Sequence, residues 1–116
     1  MYTIENSYKE ALVNKGLHNL ELFYYDKTDS TNTRAKLFAL SRPAEDTNSA
    51  VFLTRAQNSG RGTRGRSFES PEGAGLYLSL LLYPNIHAKY AYILTCAAAV
   101  AVCRALEKIC PALTPK

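Results

Sequence analysis

A glycine- and arginine-rich stretch from Gln57 to Phe68 constrains this chain more than any other feature. Residues 60–66 read Gly-Arg-Gly-Thr-Arg-Gly-Arg, so that three glycines interleave with three arginines. Glycine is unfavourable inside helices and strands but permits close backbone approach, so this composition predicts a loop. Arginine forks match carboxylate and phosphate oxygens, and the N–H groups of a glycine-rich turn can cradle an anion. The stretch therefore predicts a loop that suits a ligand with both a carboxylate and phosphates.

Two plainer interpretations of the same loop stay open at this point. Arg/Gly-rich segments also occur as disordered RNA-binding tracts and as surface loops with solvated charges. Apolar, strand-like runs at 50–56 and 76–83 flank the loop, which argues against disorder. The net charge is +4, and the loop with Arg55 holds four of the 14 basic residues. Such a local excess favours a small anionic ligand, with a basic nucleic-acid-binding module as the alternative.

Length and cysteine content bound the class of protein. A chain of 116 residues predicts one domain. The three cysteines lie seven residues apart in a helical pattern, and their odd number and apolar surroundings predict reduced thiols and a cytoplasmic protein. No secretion signal is apparent, and no residues stand at a metal-site spacing. The apolar run at 91–103 is too short to span a bilayer and predicts a buried core helix.

Periodicity and turn residues predict six elements. Helices are expected at 3–14, capped by Thr3 and ended by Gly16, at 31–41, ended by Pro43, and at 89–110, ended by Pro111. Small residues on the last helix would allow it to pack closely on the sheet. Strands are expected at 20–25, 50–56 and 76–83. The last strand has two largely apolar faces and predicts a central strand, paired with the preceding one in a long-looped antiparallel hairpin.

A polar cluster precedes the second helix. Asp29, Ser30, Thr31 and Asn32 stand in a row, although one helix start needs a single N-cap residue. A cap followed by a turn explains the cluster without any function. The functional alternative is that the spare hydroxyl and amide groups line a pocket for a neutral polar group near the positive end of the helix.

The two motifs together, followed by Gly75-Leu-Tyr-x-Ser79, closely resemble the catalytic domain of biotin protein ligases from about Leu20 to the chain end. The resemblance implies an α+β fold of the class II synthetase and biotin–lipoate ligase type, with a mixed, mainly antiparallel sheet covered by helices. It implies that residues 1–116 form a partial catalytic domain, with the motifs in 20–116. Lipoate-type protein ligases of the same superfamily are the alternative.

The resemblance also assigns roles to residues. Ser30, Thr31, Asn32 and Gln57 match the family's biotin-binding positions. Gly60, Arg61, Gly62 and Thr63 match the loop over the biotin carboxylate and the adenylate phosphate, with Arg61 as the catalytic candidate. Arg64, Arg66 and Phe68 match positions near the nucleotide. Thr63 departs from the family, which frequently has a basic residue there.

The implied reaction uses biotin, ATP and Mg²⁺. It forms biotinyl-5′-AMP and then transfers biotin to a lysine of a biotin carboxyl carrier protein or similar acceptor. The family's Lys-Trp-Pro-Asn-Asp motif is absent from the chain, so we expect it to carry the first half of the site and to be inactive alone. We expect no DNA-binding domain, because the Ser30 motif lies too early in the chain to leave room for one. No DNA or membrane partner is expected, and a homodimer is compatible with the resemblance.

Overall fold

Strand β2 (Ala50–Thr54) lies in the middle of a three-stranded sheet. Strand β1 (Glu21–Tyr25) runs parallel to it on one side, and β3 (Tyr77–Leu81) runs antiparallel on the other. The register places Phe52 of β2 between Phe23 and Ser79. The mixed sheet with helices confirms the predicted α+β class, and the β2–β3 pairing confirms the predicted antiparallel hairpin.

The computed structural model describes residues 4–17, 19–60, 63–67 and 69–112. The chain divides into two units, one ending at Tyr83 and the other beginning at Pro84. The first contains the sheet with helices α1 (Ile4–Asn14) and α2 (Thr31–Ser41). The second contains a 3-10 turn (Ala88–Tyr90) and helix α3 (Tyr92–Ile109).

Three phenylalanines build the core between α2 and the sheet. The ring of Phe23 stacks on that of Phe52 at a centroid distance of 5.0 Å, and Phe38 of α2 meets them at 4.9 and 5.5 Å. Ala35 and Ala50 are buried beside the cluster because their small side chains let α2 approach the strands. This packing fixes the first turn of α2 relative to the ends of β1 and β2.

Helix α1 ends as its sequence predicts. Gly16 has φ 77°, the left-handed region that glycine adopts without steric cost. The N–H of Gly16 donates to Val13 O and that of Leu17 to Leu12 O, the pairing of a Schellman motif. The predicted cap at Thr3 lies outside the described residues. Helix α1 meets the sheet through Tyr8, whose ring centroid lies 5.9 Å from that of Tyr24.

Arg42 secures the end of α2. Its guanidinium lies 4.6 Å from the centroid of Phe38 and 5.5 Å from that of Tyr83, and the side chain is 5% exposed. It donates to Asp46 and to the carbonyl of Asn48. The carboxylate of Asp46 and the two aromatic rings offset part of the cost of burying this charge.

One expectation about the sheet is wrong. In the described sheet the central strand is β2, and β3 lies at an edge. On β3, Ser79 and Leu81 lie on the side of α2, whereas Leu78 and Leu80 are half exposed on the other side. An apolar pattern identifies faces of a strand but not its neighbours, which is why it misplaced β3.

Helix α3 was expected to be a buried core helix, yet it carries no buried residue. Its own unit consists of this helix and one turn, and a single helix has nothing within such a unit to bury its side chains against. The expected close packing of α3 on the sheet stays a prediction. Cys96, Cys103 and Cys110 are free thiols, and Cys96 is exposed. Among the described residues, no helix has both the length and the apolar content needed to cross a membrane.

Candidate functional site

Parallel pairing brings the two polar motifs to the same edge of the sheet. Beyond the strands, the N–H of Thr28 donates to Ala56 O at 3.2 Å, and the N–H of Asn58 donates to Thr28 O at 3.0 Å. The N–H of Ser59 then donates to Asp29 O at 2.8 Å. Since the carboxyl ends of parallel strands lie together, the start of α2 and the start of the glycine-rich loop become neighbours.

Ser30 caps helix α2. Its backbone is extended, with φ −161° and ψ 133°, and its Oγ accepts from the N–H of Thr33 at 3.4 Å. Ser30 and Thr31 are both buried, at 3% and 4% exposure. A buried hydroxyl needs hydrogen-bond partners, and the neighbouring loop supplies them for Thr31.

The side-chain amide of Gln57 joins the helix to the loop. Its Oε1 accepts from the N–H of Thr31 at 2.8 Å and from the hydroxyl of Thr31 at 3.1 Å. Its Nε2 donates to the buried Oγ of Ser70 at 2.9 Å, and its backbone N–H donates to Ser70 O at 3.0 Å. These contacts fix which end of the amide faces the helix.

Beside this amide, three oxygen–oxygen contacts share the protons of only two hydroxyl groups, those of Thr31 and Ser79. Oγ of Ser79 lies 2.8 Å from Oγ1 of Thr31 and also contacts Oδ1 of Asn32, while Oγ1 of Thr31 contacts Oε1 of Gln57. Each hydroxyl donates one hydrogen bond, so one contact lacks its proton at any time. With Oδ1 of Asn32 facing Ser79, one acceptor of this cluster can therefore receive an N–H from a ligand. Among the described residues, Nδ2 of Asn32 has no partner and can donate to a ligand carbonyl.

These groups line a cleft of about 190 Å³. No charged side chain contributes to its wall, so the cleft suits a neutral polar group rather than an anion. Gln57 also forms part of an adjoining cleft of about 350 Å³, which contains the start of the glycine-rich loop. The first cleft is lined by Ser30, Thr31, Asn32, Gln57, Leu76, Tyr77, Leu78 and Ser79. The second is lined by Gln57, Asn58, Ser59, Gly60, Ser67, Glu69, Ser70 and Pro71.

A larger cleft of about 550 Å³ lies elsewhere in the sheet unit. Its wall is mostly apolar and includes Leu17, Leu20, Leu80 and Leu82. No titratable side chain lines it. Size alone does not mark a reactive site, and the hydroxyl and amide groups converge in the smaller cleft instead.

An ion pair flanks the start of α2. The carboxylate of Asp29 accepts from Nε of Arg34 at 3.0 Å and from a terminal nitrogen of Arg34 at 2.9 Å. It also accepts from the N–H of Ser30 at 2.7 Å and from the hydroxyl of Thr28 at 3.0 Å. The Arg34 hydrogen bonds, followed by that of Ser30, hold the pKa of Asp29 well below its usual range. Asp29 is therefore a permanent anion at neutral pH.

The structure brings together five of the predicted site residues. Ser30, Thr31, Asn32 and Gln57 share the first cleft, and the buried Gly60 lies in the second. The predictions for Arg61, Gly62 and Phe68 fall outside the described residues.

The remaining predicted residues follow the described start of the loop. Thr63 begins a 3-10 turn that ends at Gly65. Arg64 lies in that turn with φ 58° and ψ 37°, a left-handed conformation that costs an ordinary residue about 1 kcal/mol. The side chains of Arg64 and Arg66 are exposed. Neither lines the two clefts.

Sequence reasoning missed three contributors. Ser70 received no site role from the sequence, yet its hydroxyl orients the side-chain amide of Gln57. Ser79 had been noted within a motif without a role, although it is the small hydroxyl residue on the strand face toward α2. Arg34 had received no role, and its position five residues after Asp29 was the available signal.

Known proteins resemble this chain in sequence and in fold. A sequence model of the Biotin/lipoate A/B protein ligase family matches residues 24–115. The Bifunctional ligase/repressor BirA of Bacillus subtilis (strain 168) is 36% identical over 87 residues, which cover 75% of this chain and 26% of that protein. The BirA of Bacillus spizizenii is 36% identical over 86 residues, with 74% and 26% coverage. The chain thus spans about a quarter of the length of these curated relatives.

Two solved structures share the fold. The biotin protein ligase of Leishmania major in complex with biotin superposes with a TM-score of 0.60 at 21% identity, covering 78% of this chain and 34% of that one. The complex of the same Leishmania major protein with biotinyl-5-AMP superposes with a TM-score of 0.58 at 22% identity, covering 79% of this chain and 35% of that one. From the extent of the family match and the identity to the BirA proteins, the chain belongs to the biotin/lipoate A/B protein ligase family.

Proposed function

We propose that the full-length protein is a biotin–protein ligase whose biotin head group binds in the neutral cleft at the start of α2. The observation that carries this proposal is the hydroxyl and amide cluster of Thr31, Gln57 and Ser79, which lies beside the start of the glycine-rich loop. A ligand with a neutral polar head and an anionic tail fits such a pair of environments. Biotin has both, because its ureido ring is neutral and its valerate chain ends in a carboxylate.

The cleft offers partners for the carbonyl and for one N–H of the ureido group. It presents a carbonyl oxygen between two N–H donors. The oxygen left without a proton among Thr31, Ser79 and Asn32 accepts one N–H, and Nδ2 of Asn32 or the hydroxyl of Ser30 donates to the carbonyl. Buried polar groups that find partners only in the bound ligand give selectivity, because an analogue that lacks them leaves atoms unpaired.

The first chemical step brings two anions together. The carboxylate oxygen of biotin attacks the α-phosphorus of ATP and pyrophosphate leaves, which gives biotinyl-5′-AMP. Fixed positive charge and backbone N–H donors reduce the repulsion between these anions. We assign this role to Arg61 and to the loop from Gly60 to Thr63, with Arg64 and Arg66 near the nucleotide. Positioning of the two substrates supplies much of the remaining acceleration.

In the second step a lysine amine of the acceptor protein attacks the mixed anhydride and AMP leaves. The acceptor is a biotin carboxyl carrier protein or a domain of similar chemistry. No Ser, Cys or His nucleophile is required. Closure of the arginine loop over the adenylate would keep water from hydrolysing it.

Mg²⁺ enters the proposal with ATP, as a counter-ion of its phosphates. Within the described ranges, no group of three His, Cys, Asp or Glu side chains could hold a metal ion.

The relatives support the proposal. The Leishmania major protein of the same fold binds biotin and biotinyl-5-AMP, and the BirA proteins are ligases. Because the chain spans about a quarter of the BirA proteins, the activity is proposed for the full-length protein in the cytoplasm. The 116-residue chain alone is expected to be inactive.

A thermal-shift comparison of the full-length protein tests the substrate. The family also includes lipoate ligases, so lipoate is the second candidate. Biotin with ATP should raise the melting temperature by several degrees, since a ligand at 100 times its Kd stabilises by about 2.7 kcal/mol. Lipoate with ATP at the same concentration should give no shift beyond that of ATP alone. The reverse pattern would assign the protein to the lipoate ligases.

A further inference from the structure

The start of α2 is held by an ion pair that lies outside both clefts. Asp29 precedes the N-cap, and Arg34 lies one turn into the helix. The guanidinium of Arg34 donates to both carboxylate oxygens of Asp29, at 3.0 and 2.9 Å. The backbone N–H of Arg34 donates to Ser30 O at 3.0 Å. The pair therefore encloses the helix turn that carries Ser30, Thr31 and Asn32.

Asp29 also contacts the other half of the site. Its carboxylate accepts from the N–H of Ser30 at 2.7 Å, and its backbone carbonyl accepts from the N–H of Ser59 at 2.8 Å. Ser59 lies in the glycine-rich loop, directly before its first glycine, Gly60. One residue thus joins the cap of α2 on one side and the start of the loop on the other.

Stability is a weak explanation for this arrangement. The side chains of Arg34 and Asp29 are 38% and 34% exposed, and ion pairs with such access to water contribute little to folding. Four donors directed at one carboxylate restrict its position strongly, however, and a bidentate fork adds an angular restriction that a single charge does not. This geometry fixes the position of the Asp29 carboxylate relative to the first turn of α2.

We propose that Asp29 and Arg34 are positioning residues that hold the Ser30–Asn32 turn against the start of the glycine-rich loop in the geometry that binds biotin. The inference rests on the proposed function for the identity of the ligand. It assigns no contact between either side chain and the substrate. Loss of the pair should weaken biotin binding while leaving the chemistry of adenylation intact.

The experiment compares Arg34→Gln, Arg34→Lys and Asp29→Asn in the full-length protein. We expect Arg34→Gln and Asp29→Asn to raise the Kd and the KM for biotin five- to twentyfold, with kcat changed less than twofold. Arg34→Lys keeps the charge but not the fork, and it should fall between wild type and Arg34→Gln. The double variant should be no worse than either single one, because the pair acts as a unit.

Lys36→Gln is the matched control. Lys36 is exposed on the same helix and its removal changes the net charge equally, but its side chain forms no hydrogen bond or ion pair with the residues that the structure describes. It should bind biotin as wild type does. If Lys36→Gln weakens binding as much as Arg34→Gln, general charge explains the effect and the proposal is wrong.

Hydrogen exchange separates this inference from the proposed function. In Arg34→Gln, amides of residues 30–34 should exchange at least tenfold faster, while those of β2 and β3 keep their wild-type rates. If wild type does not bind biotin, the proposed function fails and the exchange measurement still tests the positioning. Unchanged exchange at 30–34, or a biotin Kd within twofold of wild type in a folded variant, would overturn the inference.

Discussion

The amide oxygen of Gln57 accepts two hydrogen bonds from Thr31, one from the backbone N–H at 2.8 Å and one from the hydroxyl at 3.1 Å. The two residues are 26 positions apart in the chain. Their contact joins the first turn of α2 to the end of β2, which leads into the glycine-rich loop. It exists because β1 and β2 run parallel, so that both of their carboxyl ends reach the same side.

Removal of the Thr31 hydroxyl should weaken biotin binding without disturbing the helix. Thr31→Val keeps the branched shape and the backbone N–H, but it removes one proton and one acceptor from the cleft. A hydrogen bond of this kind contributes about 1 kcal/mol, and an acceptor left unpaired adds to the loss, so the Kd for biotin should rise about tenfold. Titration calorimetry on the full-length protein measures this change.

Thr33→Val is the control for that substitution. Thr33 lies in the same helix turn and meets Ser30 through its backbone N–H alone, so the same chemical change should leave biotin affinity unaltered. Equal losses in the two variants would show that a general effect on helix α2, rather than the cleft hydroxyl, is responsible.

Ser70 should influence biotin binding through Gln57. In Ser70→Ala the Nε2 of Gln57 loses the acceptor that holds the amide in its orientation. We expect a threefold to tenfold weaker Kd for biotin. In a double-mutant cycle with Gln57→Ala, the Ser70 change should have almost no further effect, since residues in one network are not additive. Additive losses would contradict a link between them.

Asp29 should contribute to stability above pH 4 and lose that contribution below it. Arg34 holds the folded-state pKa of Asp29 below its ordinary value of about 3.9, so the unfolded chain takes up a proton first as the pH falls. The melting temperature of wild type should therefore fall more steeply between pH 5 and pH 3 than that of Asp29→Asn. Because the Asp29–Arg34 ion pair is partly exposed to water, the difference between the two slopes should be modest. Identical slopes in the two proteins would show that the carboxylate is not held by Arg34 in solution.

Arg61 carries the proposed contact to the adenylate. Its replacement by alanine in the full-length protein should weaken a non-hydrolysable biotinyl-adenylate analogue by about 2 kcal/mol or more, the size expected for a charge-assisted hydrogen bond. Calorimetry gives this value directly. An unchanged affinity would remove Arg61 from the site.

Local patterns predicted the elements well. The bounds of α2 and β1 agree with their sequence signals, and Gly16 ends α1 as glycine at a helix end commonly does. The arginine-rich loop was correctly placed between two antiparallel strands. Such features depend on neighbouring residues, so a single sequence contains them.

Long-range relations were harder to predict. The bridge between Thr28 and Gln57 depends on the register of two parallel strands, which no local pattern encodes. Nor could the sequence show that Ser70 would fold back on Gln57 or that Arg42 would lie between two aromatic rings. The apolar alternation of β3 gave its two faces but not its place in the sheet.

The most direct test of ureido recognition by the cleft is the affinity of the full-length protein for biotin compared with its affinity for an analogue methylated on the ureido nitrogens. Methylation removes the N–H donors and keeps the carboxylate, so it tests the neutral cleft alone. Loss of a hydrogen bond to a buried acceptor costs about 1 to 3 kcal/mol, so calorimetry should show at least fivefold weaker binding of the analogue. Equal affinity for the two ligands would contradict recognition of the ureido group by Thr31, Asn32 and Ser79.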